Sequence, residues 1–185
     1  NKQGAYATAV GHYAGHTGQG DEAVAMGRLA GRTNQGANGV AVGCSAALDT
    51  QGVDAVAIGQ AAGSNNQKAN AIAVGYHAGY TTQESNGIAI GRLAGSNFQK
   101  SNAVAIGYQA GTVTQGSQSV AIGRNTGSNN QGSNAVAIGL DAGSNAQGSQ
   151  SVAIGPYAGK TTQGGTALAV GNEAGSNNQG ANGVA

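Results

Sequence analysis

Charge, aromatic rings, proline and cysteine are all scarce in this 185-residue chain. Charged residues make up 8% of it and the net charge is +1. A chain so close to neutral projects no long-range field toward nucleic acid or an anionic membrane. Cys44 is the single cysteine, so no disulfide framework forms within the chain. There is no Trp, one Phe and one Pro. No apolar run approaches the roughly 20 residues of a membrane helix, and no stretch reads as a signal peptide. The carboxylates are scattered singly, and no acid, base and nucleophile fall into a recognisable arrangement. The chain therefore reads as no enzyme, with no catalytic residue, no metal ligand and no cofactor assigned.

What is abundant is glycine, at 35 residues, about a fifth of the chain against roughly 7% in average proteins. Such a composition would fit disorder, but a strict period argues for order. The glycine after each AVAI-like run recurs every 16 residues from Gly11 to Gly171, without insertion or deletion. A glutamine keeps the same step from Gln3 to Gln179. The consensus is Q-G-S-N-A-V-A-I-G-x-x-A-G-S-N-N, whose positions we number as columns 1 to 16. A rigid period places every repeat at an equivalent station, as in a solenoid. Sixteen residues are too few for a helix pair, and Gly, Asn, Ser and β-branched residues make poor helix. The pattern predicts an all-β chain, a parallel β-solenoid or β-roll with 16-residue coils. About 11–12 coils stacked about 4.8 Å apart would form a rod about 55 Å long. Residues 1–185 read as a single repeat domain, a segment of a longer fibre protein.

Columns 5 to 8 form the clear strand. Column 7 is Ala in every copy, while columns 6 and 8 are almost all branched aliphatics. Alternation puts these on opposite faces. We expect the aliphatic face to fill the coil: Val104, Ile106, Val136, Ile138, Val152 and Ile154, packed on column 12 alanines such as Ala142. The small-residue face, carrying Ala105, Ala121, Ala137 and Ala153, would then meet another copy of the chain, because small side chains let a second backbone come close. The pattern alone leaves open which of the two faces meets the oligomer axis. Glycines in columns 9 and 13 suit corners with positive φ, and Asn and Ser in columns 4 and 14 to 16 suit turns. Column 1, with Gln115, Gln131, Gln147 and Gln163, is expected to stack into an amide ladder. All charged residues avoid columns 1, 5 to 9, 12 and 13, as solvent-facing turns require.

The run SVAIG, Ser151 to Gly155, with Ala158 and Gly159 following, resembles the head repeat of trimeric autotransporter adhesins, the YadA-like head. Longer-period versions with AIGxxAG and NQG also look like repeats of phage and giant-virus fibre proteins. The resemblance covers the whole chain through columns 5 to 9, although the bacterial repeat has a shorter period, of about fourteen residues. It implies a homotrimer of left-handed parallel β-rolls, and the handedness rests on it alone.

Several motifs carry less than they first show. GPYAGKT, Gly155 to Thr161, has three residues between its glycines where a phosphate-binding loop needs four. His12 and His16 lie near Asp21 and Glu22, but a His pair at i, i+4 converges only on a helix. These histidines and His77 read as turn residues. Cys44 has no histidine within one coil to activate it. The exposed-turn aromatics and arginines are the better candidates: Tyr76, Tyr108, Tyr157, Arg92 and Arg124 sit in columns 10 and 11, and Tyr and Arg favour binding surfaces.

The expected function is that of a structural fibre or adhesin segment, a rigid shaft or head on a virion, phage tail or cell surface. It would be extracellular and self-associated as a homotrimer. Its outward turns would contact a host-cell receptor or glycan, with no nucleic acid and no membrane insertion in this segment. The alternative is a monomeric solenoid that binds a repetitive surface such as ice or a polysaccharide. The Thr row such a surface needs is interrupted, at Asp49 and Val113 among other positions.

Overall fold

The computed structural model describes residues 3–185 and contains no helix among them. Each 16-residue coil contributes a three-residue strand from columns 6 to 8, such as Val136–Ile138. These strands run from Thr8–Val10 to Leu168–Val170 and form one 11-stranded parallel sheet. The register is one period throughout: Ala121 lies beside Ala137 and Ile122 beside Ile138. The expected parallel β-solenoid with a 16-residue turn is the observed fold.

A second parallel sheet of eight strands closes the coil, from Thr17–Gln19 to Asn129–Gln131. It is built from columns 15, 16 and 1; the repeat predicts a second short strand in each coil, but its Asn and Ser assign columns 15 and 16 to a turn. The reason is local. The middle residue of each strand from Thr33–Gln35 onward sits in the left-handed region, as at Asn34 (φ 50°), Asn66 (φ 63°) and Asn130 (φ 51°). The strands pair only through their first and third residues, as in Thr81 with Asn97 and Gln83 with Gln99. Asn accepts this conformation at little cost, and no hydrophobic alternation is left to announce a strand.

The core reverses the expected faces. Ala137 has no exposed surface, and neither do Ala105, Ala121 and Ala153. These four line the interior and have no surface to offer a second chain. Ile138 is 36% exposed and Ile154 38%. Val104, Ile106, Val136 and Val152 are half-buried on the same outward side. Ala142 is buried in the interior as the alanine columns pack on each other.

The physical reason is the width of the coil. The glutamines lie inside it: Gln131 is 2% exposed and Gln83 fully buried. Each spans the lumen from the second sheet to the first. Gln131 Nε2 donates to the Val120 carbonyl at 2.8 Å, and Gln147 Nε2 to the Val136 carbonyl at 2.8 Å. One amide side chain thus bridges the two sheets. The remaining lumen holds alanine methyls and a few small hydroxyl side chains, with Thr126 as the branched exception in column 12. Gly143 marks the limit, with φ 52°: a Cβ there would stand 2.7 Å from Oε1 of Gln147 and 3.3 Å from the Ala137 methyl.

The ladder is real in geometry and discontinuous in bonding. From Gln35 to Gln99 each amide donates to Oε1 of the next glutamine, at 2.9–3.1 Å, and the run ends at Gln115. Gln131 donates onward to Gln147, and Gln163 to Gln179. The buried Oε1 atoms of Gln131 and Gln163 receive no bond. In the coils just before these two, column 5 is serine: the hydroxyls of Ser119 and Ser151 donate to the Gly116 and Gly148 carbonyls. A Ser at column 5 thus accompanies two of the interruptions.

Candidate functional site

Two exposed features remain once the interior is assigned. The first is the outward side of the 11-stranded sheet. Columns 6 and 8 place Val, Ile, Leu or Met in register along nearly the whole stack. Met26, Ile58, Ile90, Ile122, Ile138 and Ile154 are all exposed. Eleven strands at about 4.8 Å give an apolar stripe about 50 Å long. Contiguous apolar surface of that extent marks a site of association. A sheet face left to water would carry polar side chains.

The second feature is the corner formed by columns 9 to 14, where the backbone reverses through left-handed residues such as His77 (φ 52°) and Tyr157 (φ 60°). The Gly139-type glycine opens it at φ 128°. Column 10 side chains project there one above another, held by bonds such as Gln109 N to Arg92 O at 3.0 Å and Asn125 N to Tyr108 O at 2.8 Å. The guanidinium carbon of Arg92 lies 5.6 Å from the Tyr76 ring centre and 5.4 Å from that of Tyr108. Arg124 is exposed in the next coil. The structure therefore gathers four of the five candidate contacts, Tyr76, Arg92, Tyr108 and Arg124, into one row.

Tyr157 stands apart. Lys160 Nζ lies 4.9 Å over its ring. The two residues line an open groove of about 490 Å³ with Glu173, Ser176 and Asn177. A stack the sequence reading missed lies beside the first row. His77 sits 4.2 Å from Tyr76 and 4.5 Å from Tyr80, ring centre to ring centre, with nearly parallel planes. The available signal was the shared turn, which brings columns 11 and 14 together. Burial pushes the His77 pKa below its usual value. At Cys44, hydrogen bonds from Ser45 and then Arg28 lower the thiol pKa, with Arg28 Nη2 3.3 Å from the sulfur. Among the described residues, no group of three or more His, Cys, Asp or Glu could hold a metal ion, and no helix is long and apolar enough to cross a membrane.

None of the curated proteins compared with the chain matches it. The sequence profile of the YadA head domain repeat, which holds two copies of that repeat, matches residues 51–78, 99–126, 115–142 and 131–158. Every match begins at a ladder glutamine, Gln51, Gln99, Gln115 or Gln131, and ends at column 12 of the following coil. Over those segments the coils of this β-solenoid match the YadA head domain repeat, in line with the SVAIG resemblance.

Proposed function

We propose that the chain is a rigid segment of a surface-displayed trimeric adhesin or fibre, with a mechanical and adhesive role and no catalysis. Three copies would bury their aliphatic stripes against one another, and the column 10 and 11 corners would contact a host receptor or glycan. The observation that carries this reading is the long apolar stripe, interrupted at Thr8, on a solenoid whose own core is thin. A lumen of Ala methyls and amides buries little apolar surface per residue, so association on the outer face supplies what the single coil lacks. The YadA head repeat matches support the same reading. Repeated weak contacts along a stiff rod add by multivalency. The chain is read as part of a longer fibre, on a cell surface, virion or phage tail.

Mass in solution tests the assembly. Light scattering on the purified chain should give three times the chain mass of 17.7 kDa. A stable monomer at micromolar concentration would overturn it. Binding of the intact rod to cultured host cells, compared with a rod lacking the corner tyrosines, tests the adhesive role.

A further inference from the structure

We propose that the row Tyr76–Arg92–Tyr108–Arg124 is a binding track for a linear polysaccharide bearing one uronate carboxylate per disaccharide. This rests on the reading of the rod as a displayed adhesive surface and names what one part of that surface recognises.

The row alternates ring and guanidinium, one per coil. Arg92 lies between two rings, within 5.4–5.6 Å of each. A guanidinium confined between two aromatic rings loses less freedom on binding an oxyanion. Among the described residues no side chain takes up that capacity. Among the described residues the ion pair is Arg32 with Asp49, at 3.0 Å, and neither Arg92 nor Arg124 has a carboxylate partner. No acidic residue stands in columns 10 to 15 between Asp49 and Asp141. Asp141 stands one coil past Arg124, its N–H donating to the Arg124 carbonyl at 2.9 Å, so the positive charge of the track is clearest at Arg92, on a chain that is nearly neutral overall.

Spacing selects the partner. Arg92 and Arg124 are two coils apart, about 10 Å along the rod, the length of one disaccharide in an extended β-linked glycan. Successive uronates then meet successive arginines, in the paired N–H geometry that favours carboxylates. The Tyr108 ring between them meets the intervening sugar, its hydroxyl offering a hydrogen bond. An acidic peptide fits less well. An extended chain advances about 3.3 Å per residue, so charges 10 Å apart are three residues apart and point to opposite sides. Nucleic-acid phosphates stand about 3.4 Å apart along each strand, so most would meet tyrosines instead of arginines.

The test uses hyaluronan oligosaccharides as the probe, with carboxyl-reduced hyaluronan of the same length and poly-glutamate as comparisons. Calorimetry is run on the wild type and on Arg92→Gln, Arg124→Gln and the remote column 10 variant Arg28→Gln. The expected result is binding of hyaluronan, loss with the reduced chain, weakening of about tenfold or more in Arg92→Gln and Arg124→Gln, and no change in Arg28→Gln. No binding, equal binding of the reduced chain, or insensitivity to both variants would overturn the inference. Poly-glutamate binding with the same arginine dependence would overturn the glycan assignment. Solution mass is recorded on the same samples. A trimer that ignores hyaluronan defeats this inference alone, whereas a monomer that binds it defeats the assembly reading alone. A change of mass in Arg92→Gln would place the row at a chain–chain contact and defeat the track.

Discussion

The side-chain amide of Gln83 donates to Oε1 of Gln99, one coil away, at 2.9 Å inside a lumen otherwise lined by alanine. The same nitrogen shares its two hydrogens with the Ile72 carbonyl at 2.8 Å and the Gly87 carbonyl at 3.0 Å, so one of the three contacts is bifurcated. Gln83→Ala removes these contacts and takes the Oε1 acceptor from the Gln67 amide, which keeps the Val56 and Ala71 carbonyls. Stranded buried polar groups cost about 1–3 kcal/mol each. We expect a loss of about 3 kcal/mol, read from chemical denaturation. Gln83→Glu should be worse at neutral pH. Burial would raise the folded pKa of the introduced carboxyl above its unfolded value. The folded state then binds more protons, so stability improves as pH falls and is lost as pH rises.

Neighbours in one strand should respond in opposite ways. Ala137→Leu puts three extra heavy atoms into the filled lumen and should cost about 2–3 kcal/mol, seen as a lower melting temperature. Ile138→Glu lies on the outward face and should leave the β spectrum of the coil intact. In the proposed trimer it buries a carboxylate in the aliphatic contact, and the solution mass should fall toward one chain.

Gly139→Ala tests the corner. At φ 128° a Cβ would stand 2.8 Å from both the carbonyl carbon and oxygen of Gly155 in the next coil. Backbone strain and the clash act together, and we expect a cost of about 3 kcal/mol. Thermal melts of this variant beside Leu140→Ala would show the contrast, since Leu140 lies in a variable column.

Acid should weaken the coil around His77. Its folded pKa lies below the ordinary 6.5 because burial disfavours the cation. The unfolded chain takes up the proton more readily. The stabilisation is therefore present above 6.5 and is lost as pH falls through that value toward the folded pKa. NMR titration of His77 should give a midpoint below that of a free histidine, and His77→Gln should flatten stability between neutral and mildly acidic pH.

Cys44 should alkylate at lower pH than an ordinary thiol, because Ser45 and Arg28 stabilise the thiolate. The pH profile of maleimide or iodoacetamide reaction should shift upward in Arg28→Gln. An unchanged profile would show that the guanidinium has no hold on the sulfur.

The step from Gly139 to Gly155 announced the coil, and the constant Ala at 137 and 153 announced a face of small residues. The position of Gln131 in its column announced a stack. Asn129–Gln131 was not legible as a strand, because its middle residue is left-handed and its side chains do not alternate between apolar and polar. The Arg92 sandwich was legible only as composition, until the register set Tyr76 and Tyr108 on either side of it.

By itself the sequence determined the period, the parallel in-register stack, the corner glycines and the alignment of the glutamines, because each follows from exact repetition at one spacing. Only the tertiary structure decided which side of the strand faces inward. Alternation distinguishes two faces without orienting them. The width of a 16-residue coil, bridged by a single amide from Gln147 to the Val136 carbonyl, admits the methyl of Ala137 and turns Val136 and Ile138 outward.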